Sequence, residues 1–76
     1  MDAKLIAQLP EDLQEYYTHH KPNREEELAL YCRFVAERSE EVVNFICRYA
    51  RKHRLFSLTN AEIDARAMEA YEESFE

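Results

Sequence analysis

The chain of 76 residues contains no glycine and no tryptophan, and it has only two prolines and two cysteines. At an average usage of roughly 7%, about five glycines would be expected in this length. Their absence excludes the phosphate-cradling loops, dinucleotide fingerprints and nucleophile elbows that need glycine at fixed places. It also disfavours two-residue hairpins, whose turns rest on Asn-Gly, Asp-Gly or Gly-X. Left-handed backbone positions lose their usual occupant as well. Long apolar runs are missing too: no stretch approaches the roughly 18–20 residues of a membrane span. The opening Met1-Asp2-Ala3-Lys4-Leu5-Ile6 carries an early acid, and its apolar run stops at Pro10, which does not read as a signal peptide. The expectation is a cytoplasmic protein with Cys32 and Cys47 as free thiols, behaving as small buried hydrophobes.

What is present is the balance of a folded domain: 46% hydrophobic and 34% charged residues, with five tyrosines and four phenylalanines for a core. The length supports one domain spanning residues 1–76. The net charge of −6 argues against nonspecific binding to nucleic acid or anionic membranes as the main role. That charge is unevenly laid out. Residues 1–47 hold five basic and ten acidic side chains, residues 48–54 four basic and no acidic, and residues 55–76 one basic and six acidic.

The punctuation predicts an all-α bundle of four to five short helices, about 2–8, 10–20, 24–37, 40–54 and 60–74. Asp2 reads as the first cap, and Pro10 opens the second helix at its first position, where a missing N–H is harmless. Leu9, Leu13, Tyr16 and Tyr17 give that helix one apolar face. Lys21-Pro22-Asn23 is the clearest linker, and Asn23 with Glu26 forms a capping box. From Arg24 to Arg54 nothing breaks the chain, so a continuous helix of roughly 46 Å, at about 1.5 Å per residue, is the alternative to two helices. Leu28, Val35, Val42 and Tyr49 recur at sevenfold spacing, with Tyr31 and Phe45 beside them, but Arg38 interrupts the row. Ser39 followed by Glu40 and Glu41 reads as a new N-cap, which favours the break. Thr59 and Glu62 form a second capping box, with Leu58 and Ile63 as its hydrophobic staple. The expected core is Leu28, Tyr31, Phe34, Val35, Val42, Phe45, Ile46, Tyr49, Leu58, Ile63 and Tyr71.

His19, His20, Cys32, Cys47 and His53 are the conceivable metal ligands, but no close pair of the zinc-site kind exists, and the two cysteines could meet only if the chain folds back at Ser39. A triple of Cys47, His53 and a carboxylate can be written on paper, yet nothing preorganises it. No metal, cofactor or catalytic residue is expected, and the chain does not read as an enzyme.

Two surfaces stand out. In Arg48-Tyr49-Ala50-Arg51-Lys52-His53-Arg54, four cations and a histidine exceed what a helix C-terminus requires. On helical spacing Arg48, Arg51 and Lys52 share a face with Arg54 to one side, while Tyr49, Phe45 and Val42 turn toward the core. This face suits an acidic protein, nucleic-acid phosphates or the chain's own last helix. In that helix Glu62, Asp64, Glu69, Glu72, Glu73 and Glu76 read as a solvated face or, with Tyr71 and Phe75 among them, as a surface for a basic partner. A helix-turn-helix is rejected because its second helix would bring these acids to the phosphates. The leading expectation is a small non-enzymatic protein-binding module, a regulator, inhibitor or accessory subunit of bacterial or phage type. It would act through Arg48, Arg51, Lys52 and Arg54, through Glu69, Glu72 and Glu73, or through both sets. The alternative is a nucleic-acid-associated regulator using residues 48–54, with a homodimer open in either case.

Overall fold

The computed structural model describes residues 3–75 and is all-α, with no strand among them. The helices are α1 (Ala3–Ala7), α2 (Glu11–His19), α3 (Arg24–Leu30), α4 (Glu40–His53) and α5 (Asn60–Glu73), and α3 runs on as a π-helical turn over Tyr31–Val35. They pack into a body of 41 × 22 × 16 Å.

Side-chain capping explains three of the starts. Asn23 Oδ1 accepts the Glu26 amide at 2.8 Å, and Glu26 Oε1 accepts the Asn23 amide in return. Ser39 Oγ accepts the Val42 amide, and Thr59 and Glu62 form the reciprocal pair that opens α5. Each cap satisfies an amide that has no partner within its helix, a contribution of about 1 kcal/mol. Pro10 stands one place earlier than expected: it is the residue before α2, with ψ at 152°, and it offers no side-chain cap. The proposed Asp2 cap lies outside the described residues. Gln14 closes the α1–α2 corner instead, its amide donating to the carbonyls of Leu9 at 2.7 Å and Ala7 at 3.3 Å.

The continuous 24–54 helix does not form. The Ala36 amide reaches back five residues to the Tyr31 carbonyl at 3.0 Å, which widens the helix by one residue, and the Arg38 amide closes on the Cys32 carbonyl at 2.9 Å. Between them Glu37 turns left-handed with φ 55°, and Ser39 starts α4. A second left-handed residue ends α4. Arg54 sits at φ 54° and ψ 51°, its amide bonded to the Arg51 carbonyl, while the Leu55 amide bonds to the Ala50 carbonyl at 2.9 Å. This is the two-bond closure normally built on glycine, completed by Leu55 packing against the cluster that contains Ala50. The lack of glycine therefore does not keep the chain out of the left-handed region: glutamate and arginine enter it, at about 1–2 kcal/mol each.

The core consists of Leu28, Cys32, Val43, Ile46, Ala50, Ile63 and Ala67. Leu28, Ile46 and Ile63 are where the sequence puts them. Tyr31, Val42, Phe45, Tyr49 and Leu58 only pack against the cluster from its rim, and Phe34, Val35 and Tyr71 are half-buried. The sevenfold row fails because the π turn and the break at Glu37 reset the helical phase, so α4 buries Val43, Ile46 and Ala50. Leu5, Leu9 and Leu30 are buried outside this cluster.

Asp64 is not on the solvated face. It is 7% exposed, and Arg38 meets it with two parallel bonds, Nε to Oδ1 at 3.2 Å and Nη2 to Oδ2 at 2.9 Å. The residue that interrupts the apolar row is thus the counterion of a buried carboxylate, a fork-to-fork geometry that arginine provides and lysine does not. Arg24 makes a second tie. Its guanidinium donates to the carbonyls of Phe56 and Leu58 and to Asn60 Oδ1, fastening the α4–α5 connection to the start of α3.

Candidate interaction seam between the last two helices

The contact of α4 with α5 leaves a seam on the outside of the molecule, and the spacing of aromatic residues fills it. Phe45, Tyr49 and His53 recur every four residues along one flank of α4, so their rings stack in a row. The centroids of His53 and Tyr49 are 4.3 Å apart and those of Tyr49 and Phe45 6.0 Å. Phe45 passes the row to α5 by an edge contact with Tyr71 at 5.0 Å, and Tyr71 meets Phe75 at 4.8 Å. These edge and offset geometries suit the ring quadrupoles. The row is not sealed: Phe45, Tyr49 and Tyr71 are half-buried, and Phe75 is 71% exposed.

Two adjoining grooves follow this seam. One, of about 360 Å³, is lined by Phe45, Arg48, Tyr49, Lys52, His53 and Ala70. The other, of about 480 Å³, shares Tyr49, His53 and Ala70 and is bordered by Arg66, Glu69 and Glu73. Cations from α4 therefore stand on one wall and carboxylates from α5 on the other, with aromatic surface between. No ion pair links the walls among the described residues.

The seven sequence-selected residues are all exposed, but they divide among several places. Arg48, Lys52, Glu69 and Glu73 border the seam. Arg51 does not reach the seam: it turns to α3 and pairs with Glu25 in a groove of about 560 Å³ that Arg48, standing between the two grooves, also lines with Glu26, Glu41 and Cys47. Arg54 closes α4 in its left-handed position. Glu72, although one turn from Glu69, lines neither groove of the seam, and its charge acts on Arg38. The rings of Phe45 and Tyr49, expected to turn into the core, pack against its rim and at the same time form the floor of the seam. The chain matches no protein-family model, no curated protein and no solved structure.

The thiols are set apart from this seam. Burial, reinforced by the negative charge and hydrogen bond of Asp64, pushes Cys32 up to about 12. Burial followed by the charge of Glu25 raises Cys47 as well. Both are free cysteines held in the protonated form, which is a poor nucleophile and a poor metal ligand. The fold-back at Ser39 brings Cys32 within the electrostatic reach of Cys47. Among the described residues no group of three or more His, Cys, Asp or Glu is placed to hold a metal ion. His19 and His20 lie at the end of α2, where His20 stacks on Tyr16, far along the chain from His53. No helix among these residues is long and apolar enough to cross a membrane.

Proposed function

We propose that the chain is a small non-enzymatic protein-binding module, a regulator or accessory subunit, whose contact face is the α4–α5 seam. The observation that carries this reading is the aromatic row left open between a wall bearing Arg48 and Lys52 and a wall bearing Glu69 and Glu73. Protein interfaces concentrate their energy in aromatic and arginine side chains at the centre of a patch with a polar rim, and the seam supplies both. A nucleic acid suits the same face less well, because Glu69 and Glu73 stand opposite the cations and repel phosphates.

The test is affinity capture from the native host with mass spectrometry, comparing the wild-type chain with Arg48→Ala/Lys52→Ala and Tyr49→Ala/Phe75→Ala. A specific protein should be retained by the wild type and lost by both variants, while the helical circular-dichroism signal stays. Equal capture by all three proteins would remove the seam as the contact face. A mobility shift of DNA or RNA that weakens steeply with salt would favour nucleic-acid binding instead.

A further inference from the structure

The order of charges across the seam identifies an occupant. An acidic segment laid in it would satisfy Arg48 and Lys52 but meet Glu69 and Glu73 head on, and a basic segment would do the reverse. The complementary surface must carry acids facing the α4 wall, cations facing the α5 wall and apolar groups between them. A two-fold axis lying in the plane of contact and running along the seam generates that surface from the chain itself, since it sets the α4 wall of each copy against the α5 wall of the other. We propose that the seam is a homodimer interface, in which Arg48 and Lys52 of each copy face Glu69 and Glu73 of the other and the two aromatic rows pack together.

This deepens the protein-binding reading and rests on it, because it names the partner of the same face. Interfaces of this isologous kind are self-complementary by construction. The walls are unequal: Arg66 stands with Glu69 and Glu73, so the α5 wall carries one net negative charge against two positive charges on the α4 wall. The pairing is therefore between side chains, not between uniformly charged plates. It acts at short range, where the overall charge of −6 is largely screened at physiological salt, with a Debye length of about 8 Å. The apolar contribution comes from Phe45 and Tyr49 on the floor of the grooves, continued past them by the ring contacts of Tyr71 and Phe75, which a chain this small leaves open to water.

A charge exchange tests the arrangement. Arg48→Glu/Lys52→Glu puts acids against acids at both symmetric contacts, and Glu69→Lys/Glu73→Lys puts cations against cations. In sedimentation equilibrium over a concentration series the wild type should associate to a dimer. Each variant alone should weaken that association about tenfold or more, since like charges are then opposed across the interface. Mixed in equal amounts, the two variants restore opposite charges at both contacts, so a mixed dimer should reappear and be resolved by native mass spectrometry. The circular-dichroism spectrum of each variant reports that it is folded, as is expected for exposed positions. A wild type that stays monomeric to millimolar concentration overturns the proposal, as does a mixture that fails to pair. A monomer that still captures another protein through Arg48 and Lys52 overturns the homodimer alone, whereas a monomer that captures nothing removes the protein-binding reading with it.

Discussion

Asp64 and Arg38 show the difference between a buried charge that is satisfied and one that is abandoned. The guanidinium reaches the carboxylate with two bonds from a position that leaves its own side chain 34% exposed, so the pair is held at the edge of the core. Arg38→Met removes the partner and leaves a nearly buried carboxylate beside the Cys32 thiol. The expected cost in urea denaturation is about 2–4 kcal/mol, toward the lower part of the range for broken buried pairs because water reaches the arginine. Adding Asp64→Leu should recover most of that loss, since the uncompensated charge and not the lost bond dominates it. Cys32 carries a pH dependence of its own. Its thiol is raised from 9.0 to about 12, first by burial and then by Asp64. Above pH 9 the unfolded chain releases a proton that the native chain keeps, so the stability supplied by the neutral buried thiol is full below pH 9 and is lost as the pH rises toward 12. Each pH unit in this window raises the unfolding constant about tenfold through this group. Denaturation of wild type and Cys32→Ala at successive pH values from 8 to 11 should show the variant with the flatter decline. The raised groups Cys47 and Tyr17 are common to both proteins and cancel in the comparison.

At the level of the helices, starts were legible, and the ends fell within two residues of their expected places, but the conformation of the chain at those ends was not legible. Asn23, Ser39 and Thr59 each bond the amide three residues on, so their role is written in local spacing alone. The ends depend on where the chain must go next. Glu37 and Arg54 adopt φ 55° and 54° because α3 and α4 have to reverse direction there, and no residue preference announces it. The π turn at Tyr31–Val35 was equally hidden, and with it the phase that makes Val43 a core residue where Val42 fitted the row. The left-handed positions can be probed directly. Replacing Arg54 with glycine removes the Cβ conflict of about 1–2 kcal/mol at the cost of a more disordered unfolded chain. The net gain expected is about 0.5–1 kcal/mol, read as a rise in melting temperature of roughly 4–8 °C per kcal/mol for a domain of this size. Arg54→Val should move it the other way, because a β-branched side chain tolerates that conformation least. The seam was only half legible for the same reason as the ends. The cations of residues 48–54 are visible as a charge cluster, but their sorting between Glu25 and the aromatic row is set by the placement of α3 and α5 around α4.

For the whole molecule, the distribution of burial sets how evenly it is held. The cluster that contains Leu28, Val43, Ile46 and Ile63 is drawn from α3, α4, α5 and the π turn, and Arg24 and Arg38 brace the same elements by side-chain bonds. The α1–α2 hairpin contributes nothing to it. α2 has no buried residue, and α1 and its turn bury Leu5 and Leu9 outside the cluster. Two such leucines supply about 1.5–3 kcal/mol each, and the ordering of some seventeen residues opposes much of that. The hairpin should therefore open by itself well below the free energy of global unfolding, as weakly anchored units do. Amide hydrogen exchange measures this residue by residue. Amides bonded within Glu11–His19 are expected to exchange through a low-energy opening, at least about a hundredfold faster relative to their intrinsic rates than those of Val43–Ala50 and Ile63–Ala67. Adding denaturant should leave the fast group nearly unchanged and accelerate the slow group, because global unfolding exposes far more surface. Protection of equal size throughout the chain would mean that Leu5 and Leu9 bind the hairpin into a single cooperative unit with the core.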